Sequence, residues 1–80
     1  MRIDKFLKNS RLIKRRTIAK EACDSGRISI NEKTAKAGDE VKIGDKIEIR
    51  FGSNCLKAQI LSIPPVATKE NAQEMYKIIE

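Results

Sequence analysis

The spacing of the apolar residues changes at Gly26. Before it they recur at intervals of three and four, which is typical of amphipathic helices, and after it they alternate with polar residues, which is typical of strands with one buried face. A chain of 80 residues holds one domain. The order of the two patterns therefore predicts a small α+β fold, in which two N-terminal helices pack on a small, mainly antiparallel sheet.

Two short helices are predicted in the N-terminal part. Ile3, Phe6 and Leu7 share one side of a helix over residues 2–9, and a second helix runs from about Arg16 to Asp24. The residues expected to pack inward from the second helix and from the connection before it are Leu12, Ile13, Ile18, Ala19, Ala22 and Cys23.

Strands and a last helix are predicted in the remainder. Alternating apolar residues and turn signals indicate strands over residues 28–30, 34–36, 47–51 and 56–63. Pro64 and Pro65 then interrupt regular structure. A C-terminal helix is expected to begin at Thr68, because apolar residues follow at helical spacing: Ala72, Met75, Tyr76 and Ile79.

Positive charge is concentrated in the first quarter of the chain. Residues 1–20 hold eight cations against Asp4 alone, whereas residues 21–80 hold nine cations and ten acids. Such one-sided charge favours a polyanionic partner, either nucleic acid or an anionic membrane. The eight candidate binding residues are Arg2, Lys5, Lys8, Arg11, Lys14, Arg15, Arg16 and Lys20.

Three of these cations stand at the predicted start of the second helix. The N-terminus of a helix carries a partial positive charge, so the run from Lys14 to Arg16 disfavours folding by a few tenths of a kcal/mol per cation. A phosphate would reverse this effect, since free N–H groups and arginine both bind phosphate oxygens. The sequence therefore predicts an anion site there, with a merely solvated basic face as the alternative.

Several partners fit a basic surface of this kind. A membrane-bound helix usually has a larger apolar face. Residues 17–29 superficially resemble the first helix and turn of a DNA-binding helix-turn-helix, but that motif needs a second helix where residues 27–31 alternate as a strand. Three scattered aromatic residues do not make a stacking platform for single strands. Structured RNA is the preferred partner, with a DNA-binding regulator or an adaptor acting through the sheet as alternatives.

Catalysis and metal binding find no support in the residue types. Histidine is absent, and Cys23 and Cys55 each lie in an apolar pattern, so both are expected as buried, reduced thiols. A structural zinc site needs about four Cys or His ligands. No phosphate-binding loop, nucleophile motif, membrane-spanning run or secretory signal is recognisable. We expect no catalytic residue, no metal and no cofactor in a non-enzymatic, cytoplasmic protein; Asp4 and the scarcity of serine argue against an organellar transit peptide.

An ordered set of short motifs resembles the S-four RNA-binding domain. The motifs are residues 2–7 (RIDKFL), 16–20 (RTIAK), 26–31 (GRISIN) and 44–47 (GDKI), with Lys36 and Val41 between the last two. Within that family, the stand-alone size, the segment SRLIKRR and the C-terminal KENAQEMYKII are most similar to the ribosome-associated quality-control protein P and heat shock protein fifteen group.

The resemblance implies a fold and a set of partners. It implies the alpha-L motif, with an S-four-type domain over residues 1–63 (core motif about 1–50) and a linker and C-terminal helix over 64–80. It further implies a ribosome-associated monomer that contacts 23S rRNA of the large ribosomal subunit and peptidyl-tRNA, and that supports C-terminal alanine tailing by a tailing factor. Heat-shock-type rescue of peptidyl-tRNA is the alternative role within the family.

The resemblance also implies roles for single residues. Arg2 and Arg16 are the first candidates for RNA contacts, with the other six cations lining the same surface, while Asp4 is expected to position a basic side chain or to cap the first helix. Two positions depart from the family pattern. Arg15 stands where many members have a capping Ser, and Glu32 stands where many have Gly, which puts the geometry of that turn in doubt.

Overall fold

A computed structural model describes residues 1–66 and 68–79 of the chain. Two helices lie on one face of a five-stranded sheet with the strand order β2-β1-β3-β4-β5, in which every neighbouring pair is antiparallel. The predicted α+β architecture is confirmed. The elements are α1 (Ile3–Asn9), α2 (Arg16–Asp24), β1 (Ile28–Ile30), β2 (Lys33–Thr34), β3 (Lys46–Phe51), β4 (Asn54–Ile60), a 3-10 turn (Ala72–Met75) and β5 (Tyr76–Ile78).

The core lies between the helices and the inner face of the sheet. Alternation along β3 buries Ile47 and Ile49 at 1% exposure each and leaves Lys46 and Arg50 exposed. The helices contribute Phe6, the largest of the fully buried side chains. Other members of this cluster are Ile3, Leu7, Ile13, Ala19, Cys23, Ile28, Ala58, Ile60 and Met75.

The predicted packing of the helical region is confirmed except at Ile18. Ile13 is buried and donates its N–H to the carbonyl of Leu7 at 3.1 Å, which anchors the connection between the helices. Ile18, expected in the core, is 48% exposed. The buried side of α2 is centred on Ala19 and Cys23, so the side chain of residue 18 lies at the edge of that side and is partly open to solvent.

The turn between β1 and β2 keeps a left-handed geometry in spite of Glu32. Asn31 and Glu32 have φ angles of 50° and 73°, as the two central residues of a type I′ hairpin turn require. Asn31 is held from outside the turn, since its side chain accepts the N–H of Lys46 at 2.9 Å and donates to Asp45 at 3.1 Å. These bonds offset the strain that a glutamate has at positive φ.

The predicted C-terminal helix is wrong. Of residues 68–79, only the four of the 3-10 turn are helical, and the chain then pairs as β5 with β4 in the register Ile60 with Tyr76. The spacing of Ala72 and Met75 suited a helix and both are buried, but so short a helix gains little by itself, whereas pairing satisfies the backbone groups along the edge of β4. The predicted division of the chain at residue 63 stays a prediction.

The two cysteines differ in environment, so the expectation of two buried thiols is confirmed for only one of them. Cys23 is 1% exposed, and burial, with smaller contributions from the nearby carboxylates Asp4, Asp24 and Asp39, raises the pKa of its thiol to about 11. It is therefore a neutral, unreactive core residue at pH 7. Cys55 is exposed because it lies on β4 opposite Arg50, on the face of the sheet turned away from the helices.

Candidate nucleic-acid interface

A buried carboxylate joins two arginines from different parts of the chain. Oδ2 of Asp4 lies 3.1 Å from Nη2 of Arg2 and 3.6 Å from Nε of Arg16, and the Asp4 side chain is only 2% exposed. Each arginine side chain is 50% exposed, so part of each guanidinium remains open to solvent. Asp4 thus holds two cations beside each other with donor groups left for an incoming anion.

Asp4 is itself fixed by the backbone of α1. Its Oδ1 accepts the N–H of Lys5 at 2.7 Å, at the start of the helix, where that N–H has no partner within the helix. The expectation that Asp4 positions a basic side chain is confirmed, and it does so for Arg2 and Arg16 together. These two arginines are the residues that the family resemblance placed first as candidates for RNA contacts.

The start of α2 is open and electropositive. Arg15 occupies the N-cap position with extended backbone angles, its side chain makes no capping hydrogen bond, and the first turn of α2 has no acid. The N–H groups of this turn therefore keep their capacity to donate, and the helix dipole adds to the charge of the arginines. An anion would relieve both unfavourable features at once.

A second group of cations lines a depression next to these helices. Lys8, Arg11 and Lys14 surround a volume of about 330 Å³ together with Asn9 and Thr68. Arg11 adopts a left-handed conformation with a φ of 63°, where the chain turns from α1 towards α2. Asn9 and Thr68 were not predicted, and Thr68 could not be found from local sequence because it comes from the segment between β4 and the 3-10 turn.

All eight predicted cations are exposed, and they lie on the two helices, their flanks and the connection between them. Among residues 1–66 and 68–79, the ion pairs are those of Arg2 and Arg16 with Asp4, so the other six cations have no carboxylate partner there. Lys5 lies one turn from Arg2 and Lys8, and Lys20 one turn from Arg16. We call the eight side chains the basic helical surface; their contact with RNA stays a prediction.

Replacing Asp4 with Asn distinguishes two effects on RNA binding, that of the orientation of the arginines and that of the overall charge. The change raises the net charge of +6 by one unit, so unspecific attraction would strengthen RNA binding. Because Asn holds guanidinium groups less firmly than a carboxylate, we expect RNA binding to weaken instead, by about tenfold. Filter binding of an rRNA fragment measures the change.

Asp24→Asn is the matched control for this prediction. Asp24 is an exposed acid at the end of α2, so its replacement changes the net charge equally and leaves the arginines in place. It should bind RNA as well as the original chain or slightly better. Equal strengthening by both substitutions would show that Asp4 does not position the binding residues.

The sequence also matches a known family model. The model of the S4 domain matches residues 1–47, which include both helices and the start of β3. The chain belongs to the S4 domain family. The ion pairs of Asp4 with Arg2 and Arg16, and the strand β1 that follows α2, all lie within the matched residues.

Relatives resemble this S4 protein over its whole length. A protein of Listeria monocytogenes named RQC P-site tRNA stabilizing factor is 55% identical over 80 residues, which are 100% of this chain and 87% of the relative. A protein of the same name from Bacillus subtilis is 52% identical over 80 residues, 100% of this chain and 93% of the relative. The trimeric structure of heat shock protein 15 from Vibrio cholerae superimposes with a TM-score of 0.88 at 29% identity, covering 99% of this chain and 81% of that one.

Other kinds of site are not found in the described part of the S4 protein. Within residues 1–66 and 68–79, no three His, Cys, Asp or Glu side chains are grouped as metal ligands would be. No helix in the same ranges combines the length and apolar character needed to cross a membrane.

Proposed function

We propose that this chain binds RNA of the large ribosomal subunit and acts in ribosome-associated quality control, where it stabilises tRNA in the P site. One observation of the structure carries the proposal: Arg2 and Arg16 converge on the buried Asp4 beside a helix N-terminus that no side chain caps. Such an arrangement is suited to bind phosphate oxygens, because both the free N–H groups and the guanidinium groups donate to them. The names of relatives that are 52% and 55% identical support the choice of biological setting.

The proposed contacts are 23S rRNA and peptidyl-tRNA on a large subunit that has stalled during synthesis. Phosphate neutralisation by the basic helical surface supplies most of the affinity, which makes binding strongly dependent on salt. In this proposal the chain is a cytoplasmic monomer and not an enzyme. It keeps the tRNA in place while a separate tailing factor adds alanine to the nascent chain.

Two other roles are less well supported than the proposed one. A heat-shock-type rescue factor is the second candidate, because the structure of heat shock protein 15 superimposes with a TM-score of 0.88. Its identity to this chain is 29%, against 52% for the Bacillus subtilis factor, which favours the quality-control role. The helix-turn-helix alternative is wrong, since α2 is followed by β1 in place of a recognition helix.

Sucrose-gradient fractionation of a cell lysate tests the proposed function. The chain should migrate with the large subunit, and RNA extracted from those fractions should contain tRNA that still carries a peptide. Raising the salt should move the chain to the top of the gradient. A chain found only in ribosome-free fractions at low salt, or bound equally to both subunits, would contradict the proposal.

A further inference from the structure

The depression beside the helices is formed by parts of the chain that are far apart in sequence. Lys8 and Asn9 belong to the last turn of α1, Arg11 and Lys14 to the connection between the helices, and Thr68 to the segment after β4. Its volume of about 330 Å³ lies at the small end of the range for ligand pockets. The depression therefore has room for one small group, such as a nucleoside, and is too small for a duplex.

Arg11 keeps its side chain at this depression against the preference of its own backbone. Its φ of 63° is the left-handed conformation that commonly follows a helix, and glycine is the residue that adopts it most easily. The backbone there is fixed, because Arg11 donates its N–H to the carbonyl of Lys8 at 3.1 Å and the neighbouring Ser10 and Ile13 are buried. A glycine would suit the fold better, so an arginine at this position indicates a use for its side chain.

Thr68 is held at the depression by a closed turn. Its N–H donates to Oδ1 of Asn71 at 2.8 Å, and its Oγ1 accepts the N–H of Asn71 at 3.2 Å. The carbonyl of Thr68 accepts the N–H of the buried Ala72 at 3.1 Å, which ties this side of the depression to the core. The hydroxyl hydrogen of Thr68 remains able to donate to a bound group.

The neutral residues of the depression complement a base better than a phosphate. Asn9 is partly buried, and its side chain has no hydrogen-bond partner among residues 1–66 and 68–79. An amide side chain both donates and accepts, whereas a phosphate only accepts, so the carbonyl oxygen of Asn9 would gain nothing from a phosphate. The edge of a nucleobase offers donors and acceptors together.

The charged residues of the depression suit the rest of a nucleotide. Lys8, Arg11 and Lys14 have no carboxylate partner in the described ranges, so their charges are available to the phosphates on either side of a base. The planar guanidinium of an arginine also stacks on a base. That matters here because none of the five residues that line the depression is aromatic.

We propose that the depression takes a single unpaired nucleotide, extruded from the RNA whose phosphates the basic helical surface binds. Arg11 stacks on the base, and Asn9 and Thr68 hydrogen-bond to its edge. Lys8 and Lys14 contact the phosphates on either side. The preferred ligand is thus RNA with an unpaired nucleotide beside a duplex, and not a uniform duplex. The inference rests on the proposed function for the RNA that the helices hold.

Binding of three defined RNAs to the full chain tests this inference. One is a short duplex with a single unpaired adenosine, and another is the same duplex without it. The original chain should bind the bulged RNA about tenfold more tightly, which is the order of effect that stacking of one base has. In the third RNA the bulged nucleotide lacks its base, and this RNA should bind like the uninterrupted duplex. A bulge that acted only by bending the RNA would keep the preference without the base.

Arg11→Gly is the most informative variant, because RNA binding and stability should change in opposite directions. It should reduce the preference for the bulged RNA to about twofold or less, and raise the melting temperature by about 4 °C because glycine fits the backbone there. Asn9→Ala should reduce the preference without any change in charge. Lys20→Gln is the control that removes one cation of the basic helical surface outside the depression. It should weaken binding of both duplexes equally and so leave the preference intact.

Four results would overturn the inference. They are equal binding of the bulged and uninterrupted duplexes by the original chain, a preference that persists without the base, a preference that persists in the Arg11→Gly or Asn9→Ala variant, and a melting temperature lowered by Arg11→Gly. The last result would mean that Arg11 serves the fold. Failure of the proposed function would show differently, as a chain absent from the large-subunit fractions of the gradient.

Discussion

Replacing both Arg2 and Arg16 with Gln is expected to weaken binding to large ribosomal subunits by about a hundredfold. Each guanidinium is half exposed and held by Asp4, so it meets a phosphate without much further loss of side-chain freedom. A hydrogen bond to a charged group contributes about 1.5 kcal/mol or more, and two such losses correspond to about two powers of ten in the dissociation constant.

Co-sedimentation with purified large subunits over a series of protein concentrations measures this loss. A Lys33→Gln, Lys36→Gln variant is the control, because it removes the same charge from exposed positions on and beside β2. It should weaken binding only slightly, through the general field of the protein. Comparable weakening by the two variants would mean that net charge, and not the site around Asp4, determines the affinity.

Phe6→Ala is expected to remove most of the stability of the domain. Phe6 is fully buried between the helices and the sheet, and truncation of such a residue costs about 3–5 kcal/mol. Small domains are stable by only about 5–15 kcal/mol, and one of 80 residues lies towards the lower end of that range. Urea unfolding followed by circular dichroism should therefore show a midpoint shifted strongly downward, or no folded baseline at all.

The same substitution at Phe51 is the control for this prediction. Phe51 ends β3 and is 50% exposed, so its truncation leaves no cavity of comparable size. Its cost should be about 1 kcal/mol or less. Equal destabilisation at both positions would contradict the placement of Phe6 at the centre of the core.

The local sequence pattern was sufficient to predict those elements whose structure depends mainly on their own residues. The bounds of α2 follow from its apolar stripe and from Gly26, which takes the left-handed φ of 81° after the helix. The prediction for the C-terminal segment was wrong because the spacing of its four apolar residues suits a helix, while the structure there is set by a partner strand. Only the free edge of β4, a partner distant in sequence, decides for β5. The prediction that Cys55 is buried was wrong for a related reason: apolar neighbours along the chain do not show on which face of a strand a residue lies.

The candidate site was predictable to a similar degree. Charge and helix polarity were enough to select the eight cations and the start of the second helix, whereas the family resemblance placed Arg2 and Arg16 first and gave Asp4 a positioning role. That one oxygen of Asp4 serves both arginines depends on how α1 packs against α2, which no local pattern contains. The contribution of Thr68 to the depression depends in the same way on tertiary structure.

Photo-crosslinking from α2 tests the central claim most directly. Thr17 is exposed and follows Arg16, so a photoreactive amino acid in its place reports what the basic helical surface touches without removing a proposed contact. On large subunits that carry peptidyl-tRNA, we expect crosslinks to rRNA or tRNA from position 17 and none from position 42, an exposed lysine between β2 and β3. Crosslinks from position 17 to protein alone, or equal RNA crosslinks from both positions, would contradict the assignment of the RNA site to the helices.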